Sequence, residues 1–120
     1  MIVYEKMRAI CQQLEDYQDI VPTHRTPRAR DFFDIYIICE HFSLELTKKE
    51  NLEILKEIFK IKEVPLEYLN KIGDTRDFHR DDFSSVKDTV SPEVKLKSYD
   101  FYFDFVLEKA EKISKALGII

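Results

Sequence analysis

Glycine is almost missing from this chain, which has two in 120 residues. Barrels and sandwiches turn often, and glycine makes tight turns cheap, so both architectures are disfavoured. Cysteine is as scarce: Cys11 and Cys39 are too few for a disulfide framework. Nothing resembles a secretory signal. The longest apolar run, Ile35 to Cys39, falls far short of the about 20 residues that a membrane span needs. The expectation is therefore a cytosolic protein with no membrane contact. A basic surplus is also lacking, because 19 Lys and Arg stand against 23 Asp and Glu, a net charge of -4. A general nucleic-acid coat wants the opposite sign, which leaves room only for a local basic patch.

What the chain does have is apolar mass and charge together. Hydrophobic residues make up 44%, enough for one core at this length. Charged residues reach 35%, against about 25% in ordinary globular domains. Together these point to an all-α protein, with residues 1–120 forming a single compact bundle of about five helices.

Val3, Met7, Ile10, Cys11 and Leu14 recur at three- and four-residue steps, the stripe of an amphipathic helix that fades in the polar run 15–19. Residues 20–25 read as a loop because Pro22 disfavours helix in its predecessor. Thr26-Pro27 reads as a helix start, a hydroxyl cap followed by proline. The helix after it carries apolar residues nearly all round from Phe32 to Phe42, so its second half is expected at the centre of the fold. Thr47 to Glu50 has the capping-box pattern and opens a third helix striped by Leu52, Leu55, Ile58 and Phe59. Pro65 is expected to open a short helix that Gly73 stops. Between 74 and 97, Phe78, Phe83 and Val86 anchor one or two short helices, and Pro92 breaks whatever precedes it. In the last helix, Ser98 or Asp100 is the cap, Phe103, Val106, Ala110, Ile113 and Leu117 form the stripe, and Gly118 ends it.

The sharpest chemical feature is Arg28-Ala-Arg30-Asp31-Phe-Phe-Asp34 at the head of the second helix, preceded by His24-Arg25. Guanidinium forks beside a helix N-terminus suit phosphate oxygens. The plainer reading is a pair of intrahelical ion pairs, Arg28 with Asp31 and Arg30 with Asp34. Lys6 and Arg8 flank the stripe of the first helix, where they serve either as anion ligands or as solvated cover. Asp77, His79, Asp81 and Asp82 cluster, but no recognised ligand spacing supports a metal, and such a run is expected in solvent. Both cysteines read as small core hydrophobes. Tyr99, Phe101, Tyr102, Phe103 and Phe105 read as core or partner interface rather than as a base-stacking platform. RNA binding through the stretch from His24 to Arg30 is a further, weaker reading.

Taken together, Glu5-Lys6-Met7-Arg8-Ala9 and Arg28-Ala-Arg30-Asp31-Phe32-Phe33-Asp34-Ile35-Tyr36 resemble the last two motifs of the AbiEii/AbiGii-type nucleotidyltransferase toxins. The first is similar to the family's Glu-Lys-x-x-Ala helix and the second to its Arg-x-x-Asp helix start. The resemblance implies that Lys6, Arg28 and Arg30 contact nucleotide phosphates and that Asp31 is the catalytic-motif carboxylate, with Asp34 beside it. It also implies Mg²⁺ and a nucleoside triphosphate for the complete enzyme. The family's Gly-Ser segment and its metal-holding Asp-x-Asp strand have no counterpart here, and Gln12 and Gln13 stand where the third motif carries arginine. The expectation is a C-terminal helical portion, inactive alone and cofactor-free, with Met1 as an internal methionine of a longer protein. Its partners would be an N-terminal catalytic half or a second copy of itself, and a cognate antitoxin.

Overall fold

The computed structural model describes residues 1–17 and 27–120. The expected loop at 20–25, the Thr26 cap, His24 and Arg25 lie outside the described residues. Among those described the chain is all-helical, with six α-helices rather than about five. These are α1 (Ile2–Tyr17), α2 (Ala29–His41), α3 (Lys49–Ile61), α4 (Arg76–Arg80), α5 (Phe83–Thr89) and α6 (Tyr99–Leu117). Two 3₁₀ segments, Leu66–Asn70 and Ile72–Thr75, join α3 to α4.

The α1 stripe is where its periodicity puts it, with Val3, Met7, Ile10, Cys11 and Leu14 all buried. The α6 stripe is the other half of the core, and Phe103, Val106, Ala110 and Ile113 are wholly enclosed. Between them lies α2, packed on α6 and α1 and touched at one end by α5. Phe32 of α2 stacks on Phe103 at 5.0 Å, the offset arrangement that aromatic quadrupoles favour. Arg76 of α4 ties onto α6 through Asp100 at 2.9 Å and lies 4.3 Å from the Phe103 ring.

Several expectations are corrected. The buried part of α2 is its first half, where Ala29, Asp31, Phe32, Phe33 and Ile35 are enclosed, while Tyr36 to Cys39 are half-exposed. The reason is coverage: α1, α4, α5 and α6 all crowd the start of α2, and its far end borders an open cleft. The capping box at Thr47 does not form: Lys48 holds the cap position of α3 with no side-chain bond. Gly73 does not stop a helix either. It sits inside the second 3₁₀ segment, where a Cβ would stand 3.5 Å from Leu107 of α6, and the chain runs on into α4.

The helix ends at Gly118 and at Glu63 share one geometry. At α6, Gly118 takes a left-handed φ of 76° and Ile119 N–H reaches back to Ser114 O at 3.0 Å. At α3, Glu63 takes φ 56° and Val64 N–H reaches Phe59 O at 3.0 Å. Both are six-to-one turns that satisfy a terminal carbonyl, one with the expected glycine and one with a side chain in its place.

Candidate functional site

Residues from α1 and α2 converge at the head of α2. Lys6 Nζ lies 3.1 Å from Asp34 Oδ2 and 3.5 Å from Asp31 Oδ1. Arg28 Nε donates to the other oxygen of Asp31 at 2.6 Å, and Arg30 Nε donates to Asp34 Oδ1 at 2.9 Å. The result is an alternating row, Arg28, Asp31, Lys6, Asp34, Arg30, in which each carboxylate sits between two cations. Helical phase explains it: 31 and 34 lie one turn apart on the face towards α1, and Lys6 projects from α1 into the gap between them. Asp31 is 5% exposed, and both of its oxygens are paired with cations. The row carries three cations against two carboxylates, and a third carboxylate, Asp82, stands beside it at the Ala29 amide.

Arg30 is fixed further by Thr89 of α5, whose Oγ1 accepts from Nη1 at 2.7 Å, and its guanidinium lies 5.4 Å from the Phe33 ring. Arg8 is not part of the row. It turns along its own helix to Gln12 at 2.7 Å, and its Nε is buried without a hydrogen-bond partner among the described residues. The two intrahelical pairs expected from spacing both exist, and Lys6 is what joins them into one site.

The start of α2 is closed by His79 and Asp82, which the sequence grouped with Asp77 and Asp81 as a solvated run. His79 Nδ1 accepts the Arg28 backbone N–H at 2.9 Å, and Asp82 Oδ2 accepts that of Ala29 at 3.2 Å. The stretch expected to be solvated thus holds a helix cap: His79 is wholly buried and Asp82 half-buried. Because Nδ1 is an acceptor, the proton of the neutral ring is on Nε2, which has no hydrogen-bond partner among the described residues, and the ring centroid lies 5.1 Å from that of Phe32 and 4.9 Å from that of Phe78. Burial, helped by the Arg28 charge, pushes the His79 pKa down to about 4. With these two amides taken, an anion at this site would meet guanidinium and ammonium groups rather than the first N–H donors of the helix.

No family model, curated protein or solved structure matches the chain. A divalent metal does not fit the row: Asp31 and Asp34 are committed to Lys6, Arg28 and Arg30. Nor, among the described residues, are three or more His, Cys, Asp or Glu side chains gathered as a ligand set. No step can be routed through a metal held here. The aromatic run divides by depth, with Tyr99, Tyr102 and Phe103 in the core, while Phe101 is 37% exposed and Phe105 is half-buried. Among the described residues no helix is long and apolar enough to cross a membrane.

Proposed function

We propose that the chain is the phosphate-contacting helical portion of an AbiEii/AbiGii-like nucleotidyltransferase, a toxin-type enzyme, and that a separate metal-bearing half completes the active site. The observation that carries this reading is the convergence of Lys6 with Arg28, Arg30 and Asp31, residues of two separated motifs, on one partly exposed row. Lys6 and Arg28 would grip phosphate oxygens. Asp31 would hold Arg28 and Lys6 in register. The divalent ion and its carboxylates would come from the completing half, which is what nucleotidyl transfer requires. By itself the chain would not turn over substrate.

The test is calorimetric titration of Mg²⁺–GTP and Mg²⁺–CTP into the chain, into a polypeptide carrying the Asp-x-Asp strand, and into their mixture. The mixture should bind at least about tenfold more tightly than either part, and Lys6→Ala and Arg28→Ala should each remove that gain. A mixture no better than its separate parts would sink the reading.

A second reading, a non-enzymatic helical domain that self-associates, is favoured by the outer face of α3. Ile54 and Ile61 are seven residues apart on one stripe and are 43% and 72% exposed. Sedimentation would show a dimer that Ile61→Glu dissociates. A monomer at every concentration would remove this reading.

A further inference from the structure

A cleft of about 630 Å³ opens between the far end of α2, the segment 42–48 and α6, and none of the residues of the ionic row line it. That volume falls within the range of about 300–1,000 Å³ typical of small-molecule sites. One wall is apolar: Leu44, Leu46 and Phe105, with the Cys39 thiol beside them. It is also preformed. Leu46 is 7% exposed, and its carbonyl accepts the buried Tyr4 hydroxyl at 2.7 Å, while Asn51 Nδ2 holds the carbonyl of Glu45 at 2.7 Å.

The charges around this wall are unevenly committed. Lys112 is engaged by Glu108 at 3.0 Å and Lys48 by Glu45 at 3.8 Å. Glu40 and Lys109 line the same cleft, and neither makes an ion pair among the described residues. They do not neutralise each other, yet both act on the Cys39 thiol: burial raises its pKa, Lys109 opposes that rise and Glu40 adds to it. Lys109 lies over the Phe105 ring at 5.1 Å, so its ammonium borders the apolar wall.

We infer that this cleft binds a small zwitterion with an apolar body, the chemistry of a free hydrophobic amino acid. Its carboxylate would meet Lys109, its ammonium Glu40, and its side chain the surface of Leu44, Leu46 and Phe105. A simple anion would satisfy only Lys109 and would face the unpaired Glu40 carboxylate. A simple cation has the reverse difficulty. A purely apolar ligand would draw nothing from either charge.

The experiment titrates L-phenylalanine into the intact chain and follows the backbone amides by NMR. Saturable shifts confined to residues 39–48 and 105–112 are expected. N-acetylphenylalanine, which lacks the cation, and phenylalaninamide, which lacks the carboxylate, should each bind about tenfold more weakly. Lys109→Gln should lose about tenfold for phenylalanine and no longer prefer it over phenylalaninamide, and Glu40→Gln should do the same with respect to N-acetylphenylalanine. No saturable shift up to about 10 mM, or equal binding of the three compounds to the unaltered chain, overturns the inference. The ligand comparison stands even if a substitution disturbs the fold.

Discussion

Two cations stand on the carboxylate of Asp31, one at each oxygen, and that is what keeps a 5% exposed charge inside the protein. Removing Lys6 leaves Asp34 with one partner and Asp31 leaning on Arg28 alone. Lys6→Ala should therefore cost about 1–2 kcal/mol in urea denaturation, with Lys6→Met, which keeps the apolar stem, costing less. Equal midpoints for Lys6→Ala and the parent would show that the row contributes nothing to stability. His79 gives a pH dependence with a definite sign. Its folded pKa is depressed to about 4, so the unfolded chain, titrating near the ordinary 6.5, binds the proton first as pH falls. Stability is thus complete above pH 6.5 and declines between 6.5 and 4. A total on the order of 3 kcal/mol is lost below that window. His79→Gln keeps a hydrogen-bond acceptor without titrating and should flatten the slope between those limits. A parent profile flat from pH 7 to 4.5 would contradict the account.

At the level of single elements, the two six-to-one helix ends make a matched comparison. Glu63 occupies a left-handed backbone that glycine adopts freely, so Glu63→Gly should raise thermal stability by roughly 0.5–1 kcal/mol. Gly118→Ala should lower it by a similar amount at the end of α6. If both changes are neutral, backbone strain is not what distinguishes the ends. Elements whose determinants are local were legible in the sequence. The stripes of α1, α3 and α6 and the Gly118 stop follow from spacing alone, and of the two cap candidates it is Ser98 whose Oγ accepts Phe101 N–H, at 3.3 Å. Arg28, Asp31 and Lys6 were legible as candidates because their residue types and spacings are distinctive, and their convergence is set by how α1 lies on α2. Features that needed a distant partner were not legible. Nothing near His79 or Asp82 indicates that they close a helix beginning about 50 residues earlier. The depth of α2 was inverted for the same reason, since hydrophobicity all round a helix does not say which half its neighbours cover.

At the scale of the whole molecule, the separation in sequence between α2 and its cap has a kinetic side. The first amides of a helix are usually capped by a side chain close in sequence, but here those of Arg28 and Ala29 are answered only after a loop of about 50 residues has closed. Their exchange with deuterium should therefore report on the docking of α4 and α5 rather than on fraying of α2. In native conditions the Arg28 and Ala29 amides are expected to be as protected as the middle of α6, and Asp82→Ala should release Ala29 by at least about tenfold with α6 unchanged. Rapid exchange at both amides in the unaltered protein would refute this. A synthetic segment spanning 27–45 should then wind only from its second turn onward, so the arginine-bearing end of α2 would take shape last, when the chain around it is already assembled.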